Sequence, residues 1–312
     1  MLDQQNSPEF NLEPSIEHGI EKLLTPEFWR ALAPTLHIEQ PDYNTAPTPT
    51  IPEEQQHYLN ELMQHEGYFH GSIGTWHTPL EPLVEVFTQL KNFGLPPVFA
   101  FVYDEIWQLA LTLSSTLSCL LDEDYLMLPD FWAWHIDPTQ AEAGWKPHRD
   151  KGFSSLRPDG SPSSVTVWIP LTPATTLNGC MYILPADRDP VYGTENDAQW
   201  NIHYPEIRAL PANPGEFLIW NQAVLHWGSR SSPRAAGQPR MSCAFEFQRS
   251  DIPAWNHPLM SPSAFLSLQD RLVLISKQIL QYQHMYPLPE FLSTLASRML
   301  TLNNQASFLN KP

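Results

Sequence analysis

The chain has 312 residues, 42% of them hydrophobic and 12% aromatic, so it can bury a substantial core, and disorder throughout is excluded. Its 34 acidic residues against 17 Lys+Arg leave a formal net charge of −17, which opposes sequence-independent binding to nucleic-acid phosphates or anionic membranes. The expected partner is therefore a small molecule, with no nucleic acid and no membrane, and the oligomeric state is left open. Cys119, Cys180 and Cys243 lie far apart without a CxxC arrangement and read as buried thiols of a reducing compartment. The polar, acidic first twenty residues lack the basic start and apolar run of an export signal, so the expected location is cytoplasmic. The longest apolar-rich stretch, Ile106 to Leu121, carries too many Ser, Thr and Gln residues for a membrane span.

In chain order, EPSIEHGIEKLLTPEFWRALA, PEEQQHYLNELMQHEG and PLEPLVEVFTQLKNFG carry spaced apolar residues behind acidic starts, which predicts helices, with Gly67 and Gly94 as stops. Between the first two, Gln40 to Pro52 is rich in Pro and Thr and reads as a surface loop. Tyr103 to Leu121 is expected as one buried helix, with Ile106, Ala110, Leu113, Leu117 and Leu120 at helical spacing. From about Pro129 the pattern changes to short β-branched and aromatic runs, FWAWHID, SVTVWIPL, CMYILPAD, GEFLIWN and RMSCAFEFQ, divided by turn residues. Such a succession predicts a sandwich or barrel, closed as a jelly roll to protect its edges. Phe265, Leu268, Leu272, Ile275 and Ile279 return to helical spacing. The expected fold is mainly β with flanking α-helices around a double-stranded β-helix (jelly-roll, cupin-like) core. One domain spans 1–312: a mainly helical part (1–128), the core (129–250) and C-terminal helices (251–312).

Within the core, GWKPHRDKG places His148 and Asp150 on either side of Arg149; in an extended segment residues i and i+2 point the same way. Downstream, PGEFLIWNQAVLHWGS supplies His226 at the end of an apolar strand introduced by a Pro-Gly turn. Two imidazoles and one carboxylate on one face of an octahedron leave room for a bidentate 2-oxo acid and O2 on Fe(II), although the ligand types alone also admit zinc. Against this stand two plain readings: a surface turn in which Asp150 pairs with Arg149 or Lys151, and a core role for His226.

The ordered set His148 and Asp150, VTVWIPL, LNGCMYILPAD, PGEFLIWNQAVLHWGS and PRMSCAFEF resembles the phytanoyl-CoA dioxygenase family of 2-oxoglutarate oxygenases over about residues 130 to 250. The resemblance implies Fe(II) held by His148, Asp150 and His226, with 2-oxoglutarate and O2 as cosubstrates. It implies Arg240 on the distal carboxylate of 2-oxoglutarate, Trp168 near that cosubstrate, and Ser229 as a further contact. Ser229 is displaced by one position from the family pattern, and LPADRD replaces the usual PGSH ending. Arg230 and Arg234 stay open as alternative anchors; Arg240 is preferred because it directly precedes the strand MSCAFEF.

The implied reaction oxidises a C–H bond of a small metabolite, by hydroxylation or by hydroxylation leading to dealkylation, and the carboxylate of Asp150 favours these over halogenation. The acidic balance points to a nitrogen-bearing or amino-acid-derived natural product. Trp134, His135, Trp145, Phe153 and Trp227 are candidate substrate contacts, within an aromatic group that also includes Trp132 and Trp255. The alternatives are a cupin-like metalloenzyme of another reaction type and a non-catalytic jelly-roll binding module.

Overall fold

The computed structural model describes residues 16–40, 51–200, 202–235, 237–285 and 288–303. Most of the Pro- and Thr-rich segment expected as a loop, residues 41–50, lies outside them. The first helical pattern is two helices, α1 (Ile16–Leu23) and α2 (Pro26–Leu32). The reason is local: the residue before a proline is pushed out of the helical region, and Thr25 is extended at φ −90, ψ 114 with Pro26 opening the next helix. The next patterns become α3 (Glu53–His65), β1 (Tyr68–Ser72) and α4 (Glu81–Asn92).

The expected single helix over 103–121 is α5 (Asp104–Leu111) and α6 (Ser114–Leu121). Thr112 Oγ1 donates to the Gln108 carbonyl and Ser114 Oγ to that of Leu111, side-chain bonds that compete with the helical ladder at the break. Its apolar stripe survives, since Ile106, Ala110, Leu113, Leu117 and Leu120 are all buried.

The β-core follows as β2 (Leu126–Ile136), β3 (Ser164–Pro170), β4 (Met181–Leu184), β5 (Arg208–Leu210), β6 (Glu216–Asn221), β7 (Leu225–Gly228) and β8 (Arg240–Gln248). Two helices close the chain, α7 (Leu268–Tyr282) and α8 (Glu290–Asn303). A five-stranded sheet of order β1-β6-β3-β8-β2 faces a three-stranded sheet of order β5-β4-β7, every pairing antiparallel. This is the jelly-roll core. Strand β1, which lies in the part expected to be helical, covers the edge of β6.

Alternation decides what each face of the larger sheet meets. Phe101, from the 3-10 turn Pro97–Val102, stacks on Phe131 at 4.2 Å and lies 5.3 Å from Phe245, so the odd-numbered residues of β2 and β8 pack under the helical layer. Helix α7 is fixed there by a capping box between Ser267 and Asp270, and by buried Arg271, which donates to the Val102 carbonyl and pairs with Asp104 at 2.5 Å. The even-numbered residues turn inward, between the sheets. Cys119, Cys180 and Cys243 are free thiols. No helix among the described residues is long and apolar enough to cross a membrane.

Candidate metal centre and its cavity

The segment carrying His148 and Asp150 lies along β7, where a fourth strand would extend the smaller sheet. It is joined there by interrupted pairing: the His148 N–H donates to the His226 carbonyl and the His226 N–H to that of His148, both at 3.0 Å, the Gly228 N–H donates to the Trp145 carbonyl at 3.2 Å, and a second isolated bridge pairs Ala143 with Arg230. Beyond it, the N–H groups of Lys151 and Gly152 both donate to the Gln222 carbonyl at 3.0 Å. Arg149 points the opposite way from its neighbours. Its guanidinium donates to the carbonyls of Ala223 (2.5 Å) and Asp197 (3.0 Å) and pairs with Asp189 at 2.6 Å. Both members of that pair are buried, so Arg149 anchors the segment while His148 and Asp150 turn inward together.

One donor atom each from His148, Asp150 and His226 falls within 4.8 Å of the others. Asp150 Oδ1 lies 3.4 Å from His148 Nε2 and 3.5 Å from His226 Nε2. The Nδ1 atoms face the carbonyls of Lys146 (2.6 Å) and Val224 (3.1 Å), which can only accept. Each Nδ1 therefore carries the proton and each Nε2 is left as a lone-pair donor, the arrangement a metal-bound histidine needs. The second oxygen of Asp150 accepts from Thr166 Oγ1 at 2.6 Å and Trp220 Nε1 at 3.0 Å, which orients Oδ1 toward the imidazoles.

The charges are interdependent. Burial works against the Asp150 carboxylate, but the histidines and the Thr166 hydroxyl hold it well below the usual carboxylate range. Burial pushes His226 down to about 4, while for His148 the Asp150 carboxylate outweighs burial and raises it. One carboxylate supports one imidazolium, and a second beside it would be repelled. Buried His148 Nε2 has no hydrogen-bond partner. Three convergent donors, one of them unsatisfied, fit a divalent ion of the iron type, and a nitrogen- and oxygen-only set without thiolates agrees with that.

The triad opens into a cavity of about 480 Å3 that is partly open to solvent. Arg240, the first residue of β8, is fully buried in its wall, with its guanidinium carbon 5.7 Å from the Trp168 ring. Gly144 and Gly228 face each other so closely that a Cβ on Gly144 would sit 2.7 Å from the Gly228 Cα, and both line the cavity. Arg230 and Arg234 do not line it; Arg230 is exposed and donates to the Ala141 carbonyl.

A buried polar chain runs away from Asp150 along the cavity floor. Gln222 Nε2 donates to Thr166 Oγ1 (3.1 Å) and to Glu246 Oε2 (2.7 Å). Lys151 pairs with Glu246 Oε2 at 3.0 Å and Asp130 at 3.8 Å, and Asn256 and Gln281 also donate to Asp130. Burial pushes Glu246 up to about 8, with Lys151 opposing and Asp130 adding to the rise. Glu246, Asp130, Thr166 and Trp220 were not singled out from the sequence. Strand alternation would have found Glu246, which shares the parity of Arg240 and Ala244 on β8.

Of the candidate substrate contacts, Trp134 and Trp145 line the cavity, their rings 5.1 Å apart. The other three expectations are corrected. His135 lies on the opposite face of β2 from Trp134, its Nδ1 3.2 Å from Lys91 Nζ. Trp227, one residue after His226, turns outward and stacks on Tyr182. Phe153 is exposed in a 3-10 turn, its N–H donating to Asp197. Ser229, one residue beyond β7, is not among the residues lining the cavity but lines the neighbouring groove, and its hydroxyl is buried without a hydrogen-bond partner.

Residues 86–240 match the family profile described as Phytanoyl-CoA dioxygenase (PhyH). No curated protein sequence matches. Among solved structures, HygX from Streptomyces hygroscopicus with nickel and 2-oxoglutarate bound is similar at 14% identity and TM-score 0.51, over 67% of this chain and 91% of that one. SnoN, a non-haem alpha-ketoglutarate-dependent epimerase from nogalamycin biosynthesis, is similar at 15% identity and TM-score 0.49, over 69% and 94%. At 14% identity the likeness to HygX is one of fold.

Proposed function

We propose, from the match of residues 86–240 to the phytanoyl-CoA dioxygenase family, that this chain is an Fe(II)/2-oxoglutarate-dependent oxygenase in which His148, Asp150 and His226 hold the iron and Arg240 anchors 2-oxoglutarate, and that it oxidises a C–H bond of a small nitrogen-bearing metabolite. The observation that carries the reading is the convergence of three donor atoms in a cavity whose wall also holds a buried guanidinium. Bound iron supplies O2 activation coupled to decarboxylation of 2-oxoglutarate. For hydroxylation the balance is substrate C–H plus O2 plus 2-oxoglutarate, giving substrate C–OH, succinate and CO2.

The protein's part is orientation and exclusion of water. Carbonyl acceptors at both Nδ1 atoms hold the imidazole planes, and Thr166 and Trp220 hold the carboxylate, so the metal-facing atoms do not reorganise on loading. Arg240 offers a planar, permanently charged fork to the distal carboxylate of 2-oxoglutarate, and Trp168 covers it. Trp132, Trp134 and Trp145 wall the space beside the triad with apolar surface, which keeps water from the reacting carbon. Hydroxylation next to nitrogen leads on to dealkylation.

The test is anaerobic calorimetry with Fe(II) and then 2-oxoglutarate, followed by admission of O2 and succinate measurement against a panel of nitrogen-bearing metabolites. Saturable binding of both, and succinate release stimulated by a panel member, are expected. A protein that binds neither removes the proposal.

A further inference from the structure

We infer that the cavity is built for a substrate carrying a single positive charge, an alkylammonium or guanidinium group, received by Glu246 Oε1 beside a cluster of aromatic rings, at the opposite end of β8 from Arg240. The inference rests on the proposed oxygenase reading and names the substrate class of that same site.

Glu246 is the carrying observation. Both of its hydrogen-bonded partners among the described residues, Lys151 and Gln222, bind Oε2. Its side chain is nine-tenths buried and lines the cavity, so Oε1 is an acceptor turned into enclosed space. Asp130 beside it is saturated by Asn256, Gln281 and Lys151 and adds negative potential without offering a second free seat.

Charge balance points the same way. With Glu246 ionised, as a cation at Oε1 would keep it against the burial that pushes it up to about 8, the cavity wall holds three carboxylates, Asp130, Asp150 and Glu246, against its own Arg240 guanidinium and the neighbouring Lys151 ammonium that pairs with two of them. A divalent ion and dianionic 2-oxoglutarate cancel each other, which leaves the loaded cavity one positive charge short. Of the other cations on α7, Lys277 is turned to the oxygens of Asn256 and His257 and Arg271 is paired with Asp104. A buried deficit of one charge is costly: without substrate a proton on Glu246 meets it, and a cationic substrate takes that proton's place.

The walls suit the same guest. Trp145 lies 4.6 Å from Tyr282, 5.1 Å from Trp134 and 6.2 Å from Trp132, and Trp132 lies 5.5 Å from Tyr282, all four lining the cavity. Faces of this kind attract cations through their quadrupoles, more strongly where water is excluded. On β8, Glu246 is paired across from Thr166, whose hydroxyl holds Asp150, and Arg240 is six residues away, roughly 20 Å along an extended strand. The cation is thus seated next to the metal and far from the cosubstrate anchor, and the C–H bond presented to the iron is one near the nitrogen.

The experiment uses the full-length protein loaded anaerobically with Fe(II) and 2-oxoglutarate, and three probes of one size: n-butylammonium, n-butanol and butyrate. Quenching of intrinsic tryptophan fluorescence follows binding. The ammonium is expected to bind at least about tenfold tighter than the alcohol, a preference of the size measured for desolvated cation–aromatic contacts, and butyrate weakest. Glu246→Gln, which keeps an acceptor for Gln222, is expected to bring the ammonium to within about twofold of the alcohol. Equal binding of the three probes, a preference for butyrate, or an ammonium preference that survives E246Q overturns the inference. If E246Q does not fold, the order of the three probes on the wild type decides alone. Failure to bind Fe(II) and 2-oxoglutarate, measured first on the same sample, overturns the oxygenase reading instead and is read separately from the probe order.

Discussion

Replacing Arg149 by Met removes one partner of a buried ion pair and the donor to two carbonyls, while Asp189 stays buried and charged. Breaking a buried pair from one side costs about 3–5 kcal/mol. With an unfolding entropy of about 2.1 cal/mol/K per residue, the 312-residue chain should then melt about 5–8 °C lower. Adding Asp189→Asn removes the stranded charge yet keeps an acceptor for the Val191 N–H, so the double variant should regain about 2 kcal/mol of the loss. Because Arg149 lies between two proposed ligands, the single variant should also bind Fe(II) about 10–100-fold more weakly. Denaturant melts give the first pair of numbers and anaerobic calorimetry the third. A cost for R149M below about 1 kcal/mol, or a double variant no more stable than the single, would refute the view that this pair holds the segment in place.

Arg240→Met should weaken 2-oxoglutarate binding by about 30- to 5,000-fold, the loss of a buried charge-assisted contact of about 2–5 kcal/mol, with Fe(II) binding unchanged in the same titration. Thr166→Val leaves Asp150 Oδ2 with Trp220 alone and should lower Fe(II) affinity about 10–100-fold, read by competition with a chelator. Fe(II) binding should also depend on pH with a definite sign. The ion competes with the proton on His148, whose pKa is raised, so affinity falls about tenfold per unit as pH drops below that value. The slope should steepen as pH approaches about 4, where His226 takes up its proton. Asp150, held below the ordinary carboxylate range, adds nothing in that window. A flat profile from about pH 8 to about pH 5 would remove the assigned protonation states.

The His148, Asp150 and His226 set was legible because period-two geometry acts over three residues and needs no knowledge of tertiary contacts. The same geometry argues against His135 and Trp227, each one residue from a side chain that faces inward; closeness in sequence to a ligand is closeness to the wrong face of a strand. Glu246 stood in plain alternation on RMSCAFEF, whereas Asp130 sits beside a register shift in β2, where counting by two loses its hold. The break inside 103–121 escaped the apolar stripe because Thr112 and Ser114 act through side-chain bonds to the backbone, which periodicity does not register. Strand β7 is only four residues long, and the segment beside it is held by isolated bridges in place of a continuous ladder, too short for any run of β-branched residues to announce it.

Such interrupted pairing has a thermodynamic consequence. Two donors ride on a ribbon clipped to its neighbour at His148 and His226, so an ion gripping both sides acts as a staple across the rim of the barrel. Ligand linkage then adds about 2.7 kcal/mol to the native state at a hundredfold excess over Kd, and the closing of this rim draws on it directly. The amide protons of His148, Lys151, Gly152 and His226, all engaged between the ribbon and the loop or strand beside it, become a built-in gauge of iron occupancy in hydrogen exchange.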